Sequence, residues 1–438
     1  MKSVTFMFST FNLINVVFMV TAQSLTVFPA DSFVESIGVN THWTFPNVYT
    51  LNYTGLKAKL AKSGIRYIRD GSSSATYARA KDLYDSLEIK TNMIPERRKS
   101  GPGIQPIDPT QIDVVLNEIK SQALCAIVSL EAPNEYDVFH GSDTDWVNNI
   151  RNYTILLYKK VQTDEMLRNL SMIGPSLTSL EAYEAVGNMD SYIDYVNLHL
   201  YQWGYWPGNE GWDNKSTIPS ITYYFNKYAR QQSPSGKRVQ STETGYQDDL
   251  HNAGLSEEAD GKYASRAFAE FFRRGIYRTF KYELVNQDIP GKEGAFGLLR
   301  NDLSEKPSFR AITNLISILN DKGPNFEPSI LNYTLNGNVE NVQQILFQKR
   351  DGDFYLMVWL EVSSWNFTTQ IDLYPSPQQV ILTLSENNSI SSGILYAFDN
   401  TGNVYISELI IHQNQIAFNV TDKISIIQLN NNSVQEKK

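Results

Sequence analysis

The chain has 438 residues, enough for two or three domains at the ~150 residues of a typical one. Its 38 Lys and Arg stand against 47 Asp and Glu, a net charge of −9, so nothing pulls it toward phosphate backbones or anionic lipid and no nucleic-acid partner is expected. Hydrophobic, charged and aromatic shares of 42%, 19% and 12% exclude disordered and fibrous classes, and 5 His with 1 Cys are too few for a zinc cluster, an iron–sulfur site or a disulfide framework, so no metal and no cofactor is expected.

Residues 1–22 read as a signal peptide. Lys2 precedes an apolar stretch from Val4 to Val20, and Val20-Thr21-Ala22 offers small or aliphatic side chains for cleavage before Gln23. A membrane anchor is the rival reading, but Ser9, Thr10, Asn12 and Asn15 interrupt a run that must reach ~20 apolar residues to span. No stable membrane insertion is expected once the leader is removed, and the expected location is secreted. There the Asn-x-Ser/Thr sequons at Asn52, Asn152, Asn169, Asn214, Asn332, Asn366, Asn387, Asn419 and Asn431 become acceptor sites for glycans. Cys125 sits in the apolar run from Ala123 to Val128 and is expected to be a buried small hydrophobe.

From Ile37 onward, short β-branched or apolar runs alternate with helix-period segments. The expected strands are Ile37–His42, Ile65–Asp70, Ile89–Met93, Cys125–Leu130, Leu170–Gly174, Tyr195–Leu200, Arg238–Glu243 and Tyr282–Val285. Amphipathic stretches lie between them, at Asn52–Ser63, Thr110–Gln122, Trp146–Gln162, Ile218–Gln232 and Ser256–Arg274. This pattern predicts an α/β fold, a (β/α)8 TIM barrel over residues 23–322. A doubly wound sheet is the rival, but no Gly-x-Gly-x-x-Gly follows the first strand. Lys306–Phe309 is expected to lead from the last barrel helix into the next domain.

Past the breaker cluster at 321–325 the texture changes to short alternating runs separated by turn residues. Gln343–Gln348, Phe354–Glu361, Thr368–Leu373, Val380–Leu384, Gly393–Phe398, Val404–Ile411, Gln415–Asn419 and Ile424–Leu429 predict an all-β sandwich over 323–432, with a polar tail at 433–438. Leu25–Val34 has no place in the barrel and is expected to add a strand to the sandwich or pack against it.

Reacting groups of such a barrel sit at the carboxyl ends of its strands. The fourth expected strand runs into Glu131-Ala-Pro-Asn134-Glu135, the sixth into His199-Leu-Tyr201-Gln-Trp203 and the seventh into Glu243. Two carboxylates facing each other across the mouth suit glycosidic bond cleavage, in which one protonates the leaving oxygen and the other attacks the anomeric carbon. Mutual repulsion is expected to raise the pKa of the acid. The aromatic loop from Tyr201 to Trp212 offers flat apolar faces for sugar rings.

The Asn134-Glu135 pair, His199-x-Tyr201 and Thr242-Glu243-Thr-Gly resemble the clan A glycoside hydrolases, retaining (β/α)8 enzymes, over roughly residues 35–320. The resemblance implies a secreted retaining hydrolase acting on a β-linked carbohydrate substrate. Glu135 would be the acid/base and Glu243 the nucleophile. Asn134 would donate to the sugar hydroxyl beside the reacting carbon, Tyr201 would hydrogen-bond the nucleophile and Arg69 would keep it ionised. His42, His199 and Trp203 would line the sugar site. Duller readings stand beside these: Glu131 as the acid in place of Glu135, Arg69 as a structural salt bridge, both histidines as barrel-top residues without substrate contact, and the whole barrel as a catalytically silent carbohydrate-binding or surface protein. One departure from the family pattern is the lack of a Trp after the eighth strand.

Overall fold

The computed structural model describes residues 26–210, 220–386 and 388–431. The leader, Leu25, Trp212, Asn214, Asn387 and the tail lie outside them. After a short strand β1 (Val27–Pro29), eight parallel strands follow: β2 (Ile37–Asn40), β3 (Tyr67–Gly71), β4 (Lys90–Ile94), β5 (Ile127–Glu131), β6 (Ser171–Ile173), β7 (Val196–His199), β8 (Val239–Thr244) and β9 (Arg278–Lys281). They are hydrogen-bonded in the order β6-β5-β4-β3-β2-β9-β8-β7. A parallel bridge between Ile173 and Tyr195 joins β6 to β7 and closes the ring. This is the (β/α)8 barrel the alternating runs predict.

The eighth strand is displaced from its expected place: it is Arg278–Lys281, upstream of Tyr282–Val285. Two of its four residues are charged, yet all four side chains are buried. The barrel satisfies the charges instead of exposing them. Lys281 Nζ donates to the carbonyls of Tyr246, Tyr282 and Phe296 at 3.3, 2.7 and 2.8 Å, and the Arg278 guanidinium lies 3.4 Å from the centre of the Tyr67 ring. Burial takes the Lys281 ammonium down to about 8. Cys125 is a second correction, because it is exposed. It sits in the turn Leu124–Ala126 before β5, where Ala123 and Ala126 take the inward positions and turn the thiol out.

The helices cover the outside of the ring. Ser73, Ser179 and Ser256 each cap one by accepting a hydrogen bond from a first-turn amide, of Thr76, Ala182 and Ala259. The helix Ser74–Leu87 escapes the periodicity reading because its inward face is Thr76, Tyr77, Ala80 and Leu83, with a single aliphatic side chain larger than alanine. Lys306–Phe309 does not leave the last helix. It begins it, with Pro307 at the first position of Pro307–Leu319. Among the described residues no helix is long and apolar enough to cross a membrane.

The C-terminal part is a β-sandwich. Its strands are β10 (Tyr333–Gly337), β11 (Val342–Gln348), β12 (Phe354–Leu360), β13 (Trp365–Asn366), β14 (Ile371–Asp372), β15 (Gln378–Leu384), β16 (Ile390–Phe398), β17 (Val404–Leu409), β18 (Gln415–Val420) and β19 (Ser425–Asn431). One sheet runs β1-β11-β12-β19-β16-β17 and the other β10-β15-β18. The first takes in the N-terminal segment: β1 pairs in parallel with β11, Val27 opposite Leu346. β12 shows how barrel and sandwich are joined. Its alternate residues Phe354, Leu356, Val358 and Leu360 enter the sandwich core, while Tyr355, Met357 and Trp359 enter the core shared with the barrel. Each buried side chain of that size contributes about 1.5–3 kcal/mol. The expected strand Thr368–Leu373 shrinks to Ile371–Asp372, which pairs only with Trp365–Asn366 in a hairpin outside both main sheets.

Candidate active site

The carboxyl ends of β3, β5, β7 and β8 bring Arg69, Glu131, Asn134, Glu135, His199, Tyr201, Thr242 and Glu243 to one end of the barrel. Arg69 is the hub. Its Nε and Nη2 donate to the two oxygens of Glu131 at 2.7 and 2.6 Å, Nη1 donates to Glu243 at 2.6 Å, and Nη2 also reaches Asn134 Oδ1 at 2.6 Å. Burial opposes its charge, but the two carboxylates outweigh burial and hold it above its ordinary value. Arg69 is therefore both a buried salt bridge, to Glu131, and a fixed cation beside Glu243.

Glu131 and Glu135 occupy different worlds. Glu131 has a side chain 0% exposed, and beyond Arg69 it accepts from Asn92 Nδ2 at 2.8 Å, Asn197 Nδ2 at 3.0 Å and Thr242 Oγ1 at 3.1 Å. All of its acceptor capacity is spent inside the barrel. Glu135 keeps 21% of its side chain exposed and Glu243 keeps 12%. Glu135 has a left-handed backbone, φ 42°, uncommon for a residue with a Cβ. Its amide is held by the Ser176 carbonyl at 3.0 Å, so the strained turn is fixed by the neighbouring loop. Asn134 Oδ1 accepts from both Arg69 and Ser176 Oγ, at 2.6 and 3.1 Å, which leaves its amide NH2 as the donor available to a ligand.

β8 presents two consecutive residues, Thr242 and Glu243, to the same polar interior. A strand alternates faces, so this requires an irregularity, and the β7–β8 register shifts between Asn197 and His199. Glu243 then meets Arg69 through one oxygen and the Tyr201 hydroxyl through the other, at 2.6 and 2.9 Å. Thr242 fixes the tautomer of His199. The single hydroxyl proton of Thr242 has acceptors at Asn197 Oδ1, 2.8 Å, and Glu131 Oε1, 3.1 Å. Toward His199 Nε2, at 3.0 Å, the hydroxyl therefore accepts. The other ring nitrogen, Nδ1, lies 2.7 Å from Glu135 Oε1.

The electrostatics correct one expectation. Burial pushes the Glu135 carboxyl up, but the hydrogen bond and charge of His199 outweigh it and hold the carboxyl below its ordinary value. Burial pulls His199 down, while Glu243 and Glu135 hold it above its ordinary value. Repulsion between carboxylates does not dominate, because an imidazole stands between them. Glu135 and His199 thus favour each other's charged forms across the 2.7 Å contact. Glu135, His199 and Glu243 each offer an atom within 4.8 Å of the others, a spacing that by itself suits a divalent cation. The Arg69 guanidinium already supplies the cation that Glu243 needs.

His42 lies apart from this cluster, stacked on Phe45 with ring centres 4.4 Å apart and edge-on to Tyr282 at 5.4 Å. Burial takes it down to about 4, so it is neutral near pH 7. Tyr282, immediately after β9, packs edge-on to Phe296. Glu283 follows it, fully buried, accepting from Tyr49 Oη at 2.8 Å and Gln287 Nε2 at 2.9 Å. Burial pushes this carboxyl up to about 8. Trp203 is 55% exposed on the rim, 5.9 Å from the Tyr201 ring. Sequence reasoning assigned no role to Asn197, Asn92 and Glu283, and held Thr242 only as part of the motif around Glu243. Thr242 alone carried a signal, as the immediate neighbour of Glu243.

No family model and no curated protein matches this chain. Solved structures do. A family 39 glycoside hydrolase from Bacteroides cellulosilyticus aligns with 93% of this chain and 83% of its own at TM-score 0.63 and 14% identity. A family 30 endoxylanase from Clostridium papyrosolvens aligns over 94% and 97%, at TM-score 0.54 and 11% identity. A 4-O-α-L-rhamnosyl-β-D-glucuronidase from Fusarium oxysporum aligns over 93% and 97%, at TM-score 0.55 and 11% identity. The likeness is one of fold. The chain has the barrel-and-sandwich architecture found in these clan A glycoside hydrolases.

Proposed function

We propose that this protein is a secreted retaining glycoside hydrolase that cleaves β-glycosidic bonds through Glu135 and Glu243. The observation that carries the reading is the pairing of the two partly open carboxylates, which bring an oxygen each to within 4.8 Å. Retaining enzymes hold their carboxyl groups ~5–5.5 Å apart and inverting ones ~6.5–9.5 Å, to leave room for water. Arg69 and Tyr201 hold the two oxygens of Glu243, and His199 Nδ1 lies 2.7 Å from Glu135 Oε1, close enough to exchange a proton with it.

In the first step Glu243 forms a bond to the anomeric carbon while the bond to the leaving oxygen breaks, and the proton of the Glu135–His199 pair passes to that oxygen. In the second, water attacks the anomeric carbon, its proton goes to Glu135, and the Glu243 ester bond breaks. Asn134 donates to the adjacent sugar hydroxyl, and neutral His42 lines the pocket. The leader-like segment 1–22 supports secretion, and the sequons support glycosylation. The fold neighbours named for xylan and glucuronide cleavage suggest the sugars to try first.

The test is incubation with 2-deoxy-2-fluoro aryl β-xyloside, β-glucoside and β-glucuronide, followed by peptide mass spectrometry. A stable adduct on Glu243, and loss of at least about 10⁴-fold in turnover for Glu243→Gln, is expected. An adduct on another carboxylate, or hydrolysis that survives the substitution, overturns the assignment.

A further inference from the structure

The hairpin β13–β14 belongs to the sandwich by sequence but to the barrel mouth by contact. Trp365 buries itself in a small cluster with Tyr246, Leu255, Ala259 and Tyr263, all from the barrel segment that follows β8. Asp372 Oδ1 accepts from Ser256 Oγ at 2.5 Å, and Gln370 Nε2 donates to the Leu250 carbonyl at 2.8 Å. The hairpin is thereby fixed against the loop after β8. Its tip meets the loop after β7: Phe367 stacks nearly parallel on Tyr205, with ring centres 6.3 Å apart and an 18° angle between planes. A Cβ on Gly204 would lie 2.8 Å from the Phe367 ring, so the chain approaches closely there.

This anchoring does not bury the ring. Phe367 remains 43% exposed, and Trp203, on the other side of Gly204, remains 55% exposed. Trp203 has a left-handed backbone, φ 48°, and Lys292 Nζ sits 5.2 Å from the centre of its ring. Trp203 in turn lies 5.9 Å from Tyr201, whose hydroxyl is bonded to Glu243. Tyr201 and Trp203 lie side by side at the mouth, and Phe367 packs on Gly204, the residue after Trp203, so exposed aromatic side chains occur both on the loop after β7 and on the sandwich hairpin seated against it. Fixed, exposed aromatic faces beside a polar pocket suit the apolar faces of sugar rings, and one ring at the carboxylates would reach only the inner ones.

We propose that the sandwich hairpin supplies an outer sugar subsite, with Phe367 as its platform, and that the ligand is a β-linked oligosaccharide or polysaccharide chain longer than a disaccharide. This rests on the hydrolase reading for the chemistry at Glu135 and Glu243, but not for the binding. Calorimetry on the full-length Glu243→Gln protein, with cellohexaose, xylohexaose and laminarihexaose against the matching disaccharides, separates the two. At least one hexasaccharide should bind about tenfold more tightly than its disaccharide, and adding Phe367→Ala should remove about that factor, the size of one aromatic stacking contact. Phe367→Tyr, which keeps the ring and its packing on Gly204, should restore it. Equal affinity for long and short sugars, no binding of any of the three, or an unchanged hexasaccharide Kd in Phe367→Ala overturns the subsite. Tight hexasaccharide binding by a wild-type chain that hydrolyses nothing overturns the hydrolase reading and leaves the subsite standing.

Discussion

Two regions of this molecule bury an arginine among carboxylates, and they do so to different ends. At the barrel mouth Arg69 serves Glu131, which is closed off, and Glu243, which is open to the pocket. At the seam between barrel and sandwich Arg266 is 0% exposed and donates to Glu361 at 3.0 Å, to the Val362 and Asp422 carbonyls and to Ser364. Glu361 also accepts from the Trp359 indole at 2.6 Å and the Gly208 amide at 2.8 Å. Every group at the seam faces protein, and the result is a joint. Buried charge does not by itself mark a reacting centre. What distinguishes the mouth is that two of its carboxylates retain solvent access and have different partners, Arg69 and Tyr201 for Glu243 and His199 for Glu135.

The sharpest way to break this comparison is Glu135→Gln. Turnover of glycosides with poor leaving groups should fall about 10²–10⁴-fold, while formation of the glycosyl-enzyme from activated aryl glycosides, which need no proton, should fall far less. Steady-state rates on a series of leaving groups would read this, and equal loss across the series would remove Glu135 from the acid role. Next in size is the arginine pair. Arg69→Met and Arg266→Met each strand a buried carboxylate and should each cost about 3–5 kcal/mol in denaturant titrations. Only Arg69→Met should also lower kcat of the folded fraction by about 10²-fold or more, since only it removes a cation from a reacting group.

A third measurement concerns pH. Glu283 is raised from 4.5 to about 8 in the folded chain. Between those values the folded state holds a proton that the unfolded state has released. Its stabilising effect is thus complete below about pH 4.5 and is lost as pH rises toward 8. Glu283→Gln mimics the protonated form. The melting temperature of the variant relative to wild type should therefore increase from pH 5 to pH 8, and a flat difference would contradict the burial argument. The smallest effect belongs to Cys125→Ser. An exposed turn residue should change stability by less than about 0.5 kcal/mol, where a buried cysteine would cost more.

The barrel was legible because a parallel strand covered on both faces must be a short apolar run, and a helix packed on it must show a 3.6-residue stripe. Runs such as Ile127–Glu131 and stretches such as Trp146–Thr163 carry those periods directly. The reading failed where packing reversed a local signal. The eighth strand was expected at Tyr282–Val285 instead of Arg278–Lys281, because the sequence cannot show that Tyr67 and three carbonyls would take up the charges of that segment. Cys125 looked like core because its neighbours are apolar, yet a turn points it outward.

The same division holds at the site. Glu135, Asn134, His199, Tyr201 and Glu243 could be named from the sequence, since strand ends are where a barrel must place its reacting groups and each lies just beyond an apolar run. The expectation that the Leu25–Val34 segment adds a strand to the sandwich is met by β1, which pairs with β11. Only the tertiary structure shows that Glu131 is closed off and Glu135 is open, because that depends on which carboxylate five donors from four other strands surround. Only it set His199 between Glu135 and a threonine hydroxyl brought across from β8. And only it carried Phe367 to the barrel mouth, because a hairpin in the sandwich and a loop after β7 are distant in sequence and become neighbours when both pack against the segment that follows β8.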